Sequence, residues 1–114
     1  MKFAAAVNDK NIKAIIPLTL EETTGLMIFE TDTMEILDYV GERDRWVDQM
    51  NEYKVEAILC GDIYGAPMFE AIAGAGITRF YAANLSVRKA VKKESDNELD
   101  LIRDYVDGTG CGEH

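Results

Sequence analysis

Val55-Glu-Ala-Ile-Leu-Cys-Gly-Asp-Ile-Tyr-Gly-Ala-Pro-Met-Phe-Glu-Ala-Ile-Ala-Gly-Ala-Gly-Ile-Thr-Arg-Phe-Tyr81 divides into strand, glycine-bearing turn, helix and strand. Val55 to Cys60 is a short apolar run that stops at Gly61, the pattern of a buried strand. Gly61 and Gly65 supply a turn. Pro67 suits the first position of a helix, because the amide it lacks has no partner there. Ala66, pushed out of helical geometry by the proline, serves as the cap. Met68, Phe69, Ile72 and Ala73 form a helical stripe, which Gly74 and Gly76 end. Ile77 to Tyr81 is the second strand. Strands joined through a helix in this way lie parallel, with a right-handed crossover.

The rest of the chain attaches to this unit. On its N-terminal side, Asp44 to Tyr53 reads as a helix with Trp46, Val47, Met50 and Tyr53 on one side, and Trp46 as a core anchor. Leu26 to Glu30 and Met34 to Val40 read as strands of a hairpin around Thr31-Asp32-Thr33. Thr19-Leu20-Glu21-Glu22 matches a capping box and predicts one helical turn ended by Gly25. Lys2 to Val7 is a compact apolar run, a strand buried on both faces, followed by the polar turn Asn8 to Asn11. Ala14 to Leu18 is apolar again, but Pro17 argues against a central strand there. On the C-terminal side, Ser86 caps a helix running to about Lys93, whose Arg88, Lys89, Lys92 and Lys93 form a solvated face. Ser95 to Glu98 is a second capping box. Leu99, Ile102, Tyr105 and Val106 then predict an acidic amphipathic helix over 95–107, followed by a glycine-bearing tail. An antiparallel hairpin leading into a parallel half makes a mixed sheet with helices on its faces, an α/β domain.

The totals agree with one soluble core. The chain has 114 residues, 47% hydrophobic and 29% charged, enough for one domain. No run approaches the ~20 apolar residues of a membrane helix, and Met1 to Val7 is too short for a signal peptide. A cytoplasmic setting is expected, with Cys60 and Cys111 as reduced thiols. The formal charge of −9 is uneven: residues 94–114 carry seven acids against one base. An acidic chain repels phosphate backbones, which argues against nucleic-acid binding.

Several stretches, in order and spacing, resemble the dinitrogenase iron–molybdenum cofactor biosynthesis family of the NifX type. They are Lys2-Phe-Ala-Ala-Ala-Val7, Leu26-Met-Ile-Phe-Glu30, Ile58-Leu-Cys-Gly-Asp-Ile-Tyr-Gly65, Glu70-Ala-Ile-Ala-Gly-Ala-Gly-Ile77 and Val87-Arg-Lys-Ala-Val91. The resemblance covers roughly residues 1–93 and implies a ribonuclease H-like fold with a mixed five-stranded sheet, leaving 94–114 as an acidic helix-and-tail extension. It implies a non-catalytic protein that binds an iron–molybdenum cofactor precursor or another metal–sulfur cluster. Its partners would be the cluster and other cofactor-assembly proteins. Two departures stand out. Thr19-Leu20-Glu21 stands where many members carry His-Phe-Gly, and Asn84-Leu85-Ser86 where many carry a glycine-rich loop.

Three places carry candidate chemistry. Gly61-Asp62-Ile63-Tyr64-Gly65 precedes a helix N-terminus, whose free amides can bind an anion. This makes Gly61, Asp62, Ile63 and Gly65 candidate cofactor-binding residues, with a plain strand-to-helix connection as the alternative. Cys60 ends a parallel strand, where ligands bind in open α/β sheets. It is a candidate metal ligand or simply a small buried hydrophobe. Cys111-Gly-Glu-His114 places a thiolate and an imidazole within reach of one ion, yet two donors do not close a site. The first strand offers no carboxylate, so two-metal nuclease chemistry is not expected. The only histidine lies in the tail, so a catalytic triad has no base. A metal-free module docking partners through the acidic helix is the competing reading.

Overall fold

The computed structural model describes residues 1–107. Six strands form one mixed sheet in the order β3-β2-β1-β4-β5-β6: β1 (Lys2–Val7), β2 (Gly25–Glu30), β3 (Ile36–Val40), β4 (Ala57–Cys60), β5 (Thr78–Tyr81) and β6 (Asp100–Leu101). Three α-helices cover it: α1 (Trp46–Tyr53), α2 (Ala66–Gly74) and α3 (Val87–Ser95). β1 runs antiparallel to β2 and parallel to β4. β4 and β5 are parallel, in register from Ala57 opposite Thr78 to Cys60 opposite Tyr81, with α2 as the connection. The strand–helix–strand unit read from 55–81 is therefore present. Its helix starts one residue early: Gly65, at φ +88°, is the cap and Pro67 the second helical residue. Gly65 adopts a left-handed φ that a side chain would resist.

The unbroken apolar runs follow from burial on both faces. Ala4, Ala6, Leu26, Ile28, Ile58 and Cys60 point to the face covered by Trp46 and Met50 of α1 and Phe69 and Ile72 of α2. Their neighbours Phe3, Ala5, Val7, Met27, Phe29 and Leu59 point to the other, where Val87 and Ala90 of α3 and Ile16 of the first loop close over them. The period of two in strands distributes each run between two cores. Trp46 is fully buried, as its position in the stripe predicts. Its Nε1 donates to Val40 O at 2.9 Å, so its one polar atom is satisfied. Ser86 caps α3, its Oγ accepting from the Lys89 amide at 3.2 Å.

Several expectations are corrected. The sheet has six strands rather than five. The acidic helix expected over 95–107 is absent: α3 runs through Ser95, Asn97 turns left-handed at φ +59°, and the chain continues extended into β6. Leu99 packs on the α3 face and Ile102 on the α1–α2 face. The three-residue spacing read as one helical stripe thus serves the two sides of a sheet edge. Ser95 does not cap a new helix, since its Oγ donates to Lys92 O. The turn at Leu20–Glu22 does form, as 3-10, but Thr19 makes no side-chain cap. Its backbone instead pairs with Asp62. Gly25 does not end that turn. It opens β2, where the Tyr39 ring occupies the space a Cβ would need.

Candidate cofactor site at the carboxyl edge of the sheet

The bend Gly61–Gly65 follows the carboxyl end of β4, and two other segments close on it. Loop 17–21 comes from one side. Asp62 N donates to Leu18 O at 2.9 Å, and Leu20 N donates to Asp62 O at 2.8 Å. The approach is tightest at Gly61, where a Cβ would collide with the backbone of Pro17 and Leu18. From the other side comes the segment following β6. Val106 N donates to Ile63 O at 2.7 Å, and Gly65 N donates to Val106 O at 2.9 Å. Between them, Tyr64 N donates to Glu21 Oε1 at 3.1 Å.

The amides of Asp62, Tyr64 and Gly65 thus all have partners. One of these partners is a carboxylate of the chain itself. Ile63 is fully buried and belongs to the α1–α2 core, so it lines the floor of the bend from beneath. Glu21 and Asp62 place negative charge beside the amides. As it stands, the bend does not fit an anionic cluster: the donors are taken and the local charge has the wrong sign.

Cys60 is fully buried. Burial first, then the charges of Glu21 and Asp62, push its thiol up to about 12, with Arg79 pulling the other way. The thiolate that a metal needs is disfavoured there. Cys111 and His114 lie outside the described residues. Among the described residues, no three His, Cys, Asp or Glu side chains are placed to hold one metal ion. Val106, next to the last described residue, pairs in parallel with Tyr64 at the bend.

Two residues here escaped the sequence reading. Glu21 carried only a capping signal, and no pattern marks it as a partner of an amide 43 residues away. Arg43 lay just outside the helical stripe. It stacks 5.2 Å from the Trp46 ring centroid, and its Nη2 donates to Glu21 O and Thr23 O, both at 3.1 Å. Arg43 therefore clamps the loop that carries Glu21, with its stem over an aromatic face. It also lines a groove of about 330 Å³ between α1 and α2 with Val47, Pro67 and Met68. A larger cleft, about 620 Å³, lies at the opposite edge of the sheet between the β2–β3 turn and α3, with Asp32, Met34, Arg88 and Lys92 in its walls. It brings none of the candidate site residues together.

No helix among the described residues is long and apolar enough to cross a membrane. No family model matches the chain, and no curated protein matches it in sequence. Solved structures do match in fold. The apo form of the orange protein of Desulfovibrio gigas superposes with a TM-score of 0.75 at 18% identity, over 90% of this chain and 92% of that one. A Thermotoga protein provisionally named NifB gives 0.75 at 16% identity, over 92% and 96%. A Methanocaldococcus jannaschii protein provisionally named a dinitrogenase gives 0.61 at 17% identity, over 91% and 98%. The mixed α/β fold of this chain is thus shared, nearly end to end, with the orange protein and with the proteins provisionally named NifB and dinitrogenase.

Proposed function

We propose that this chain is a non-catalytic carrier of the NifX type for a metal–sulfur cofactor or its precursor, with cargo held at the carboxyl edge of the sheet. The observation that carries the reading is the fold it shares with the orange protein and with proteins named NifB and dinitrogenase. Fold alone does not assign function, so the site must supply the rest. It offers a bend at the end of a parallel strand, where open α/β sheets place their ligands. The sequence adds Cys111 and His114 a few residues beyond Val106, which pairs with Tyr64 of this bend. Thiolate and imidazole suit iron, copper and zinc, and a cluster can supply the remaining bonds. Cys60 acts as core in this reading. The competing interaction-module reading loses its helix, because residues 100–106 pack on the chain's own sheet and bend.

Anaerobic reconstitution with iron(II) and sulfide, or with molybdate and sulfide, tests the proposal. A carrier develops visible absorption that stays with the protein through gel filtration, and Cys111→Ser loses most of it. A wild-type protein that emerges colourless removes the carrier reading.

A further inference from the structure

We propose that loop 12–16 and the first turn of α3 form a docking surface for an acidic segment of a partner protein, one that carries an apolar side chain among its carboxylates. The proposal is independent of the carrier reading above.

Backbone bonds hold the two segments side by side. Ile16 N donates to Leu85 O at 2.9 Å, Val87 N to Ala14 O at 3.0 Å and Arg88 N to Ile12 O at 3.1 Å. Burial alternates along the loop: Ile16 is fully buried, whereas Lys13 and Ile15 are exposed, Ile15 at 57%. Lys13, Ile15, Arg88 and Lys89 therefore meet solvent around one junction. Residues 8–16 and 84–93 carry six bases against one acid, Asp9, in a chain of net charge −9. The chain neutralises this surface at one end only. Lys92 pairs with Asp96 at 3.0 Å and Lys93 with Glu98 at 3.6 Å. Lys13, Arg88 and Lys89 form no ion pair among the described residues, although Arg88 lines the larger cleft together with Asp32.

Local stability does not account for these cations. Ser86 caps α3, and Arg88 and Lys89 stand in its first turn, which holds no acid. That turn carries the positive end of the helix dipole, where carboxylates are favourable and cations are not. Lys89 occupies the place at which Glu completes a capping box with a serine cap. The other end of the helix follows the dipole, with Lys92 and Lys93 in its last turn. Chains break such local rules where function requires it. The amides of the first turn are spoken for: loop 12–16 accepts from Val87 and Arg88, and Ser86 Oγ accepts from Lys89. Recognition therefore falls to the side chains. An incoming group of carboxylates relieves both the dipole mismatch and the repulsion among the cations.

The occupant follows from charge and from what the surface lacks. The net negative chain repels a long polyanion, and the cations prevail only within about 8 Å at physiological salt. This suits a compact acidic segment rather than a phosphate backbone. No aromatic residue lies in 8–16 or 84–93 on which a base could stack. Exposed Ile15 supplies apolar contact instead.

The probe is a short peptide of Glu and Asp around a central Leu, titrated into isotope-labelled protein. Amide shifts are expected at residues 12–16 and 85–89, with binding that weakens as salt rises. Arg88→Glu combined with Lys89→Glu lowers the affinity at least about tenfold. Arg45→Glu combined with Lys54→Glu makes the same charge change at the two ends of α1 and alters it less than about twofold. Ile15→Ser removes the preference for Leu over Gly at the centre of the peptide. The Arg88→Glu, Lys89→Glu protein also melts a few degrees higher than the wild type, because cap and dipole are then satisfied, so its loss of binding is not a loss of fold. Equal losses in the two charge-reversed proteins reduce the binding to net charge and overturn the proposal. So do shifts spread over all the lysines, a lower melting point in the Arg88→Glu, Lys89→Glu protein, or tighter binding to single-stranded DNA or to anionic vesicles than to the peptide.

Discussion

Cys60 is where one side chain decides between two chemistries. Its thiol is pushed up to about 12 from an ordinary value of 9.0, chiefly by burial. The folded state therefore holds its proton where the unfolded chain gives it up. The stability this contributes is complete below about pH 9 and is lost as pH rises toward 12. A wild-type protein should lose a few kcal/mol more than Cys60→Ala between pH 9 and 11, as followed by urea unfolding. In a Cys111→Ser background, Cys60 should stay unreactive toward a thiol reagent at pH 8 until the chain unfolds. The two glycines with blocked space differ in what blocks them. Gly61→Ala meets the backbone of Pro17 and Leu18, which cannot step aside, and should cost at least about 2 kcal/mol. Gly25→Ala meets the Tyr39 ring, which can swing away at the loss of its 3.1 Å hydrogen bond to Val7 O. It should cost less, about 1 kcal/mol. Thermal denaturation of the two variants side by side checks the order. The role of Trp46 was legible, because a helical stripe states which side is buried. That of Glu21 was not, because it sits inside the Thr19-to-Glu22 capping pattern and its true partner is set by tertiary approach.

At the level of elements, the strand–helix–strand unit was legible because glycines, a proline and apolar runs bound each piece locally. The segment 95–107 was misread for a physical reason. Leu99 and Ile102 satisfy a helical spacing, yet the bare edge of β5 offers backbone partners that an isolated acidic helix lacks. Phe80 pairs with Leu101 and Tyr81 with Asp100, which caps that edge with two residues of β6. Short, charged edge strands of this kind also resist pairing with other chains.

The whole molecule is a sheet covered on both faces whose openings lie at its two edges. The fold was legible from the unbroken apolar runs of β1, β2 and β4, which only a doubly covered sheet can bury. The carboxyl edge was the candidate the sequence offered, from the direction of β4 and its terminal glycine. What could not be read was that the bend is filled by two distant segments, since both contacts join residues far apart in the chain. The account stands on cargo meeting the chain at this edge. Titration of isotope-labelled protein with tetrathiomolybdate, followed amide by amide, tests that directly. The account predicts shifts confined to Glu21, residues 61–65 and the neighbouring residues 102–107. Shifts centred instead on the cleft of Asp32, Met34, Arg88 and Lys92, or none at saturating anion, would contradict it.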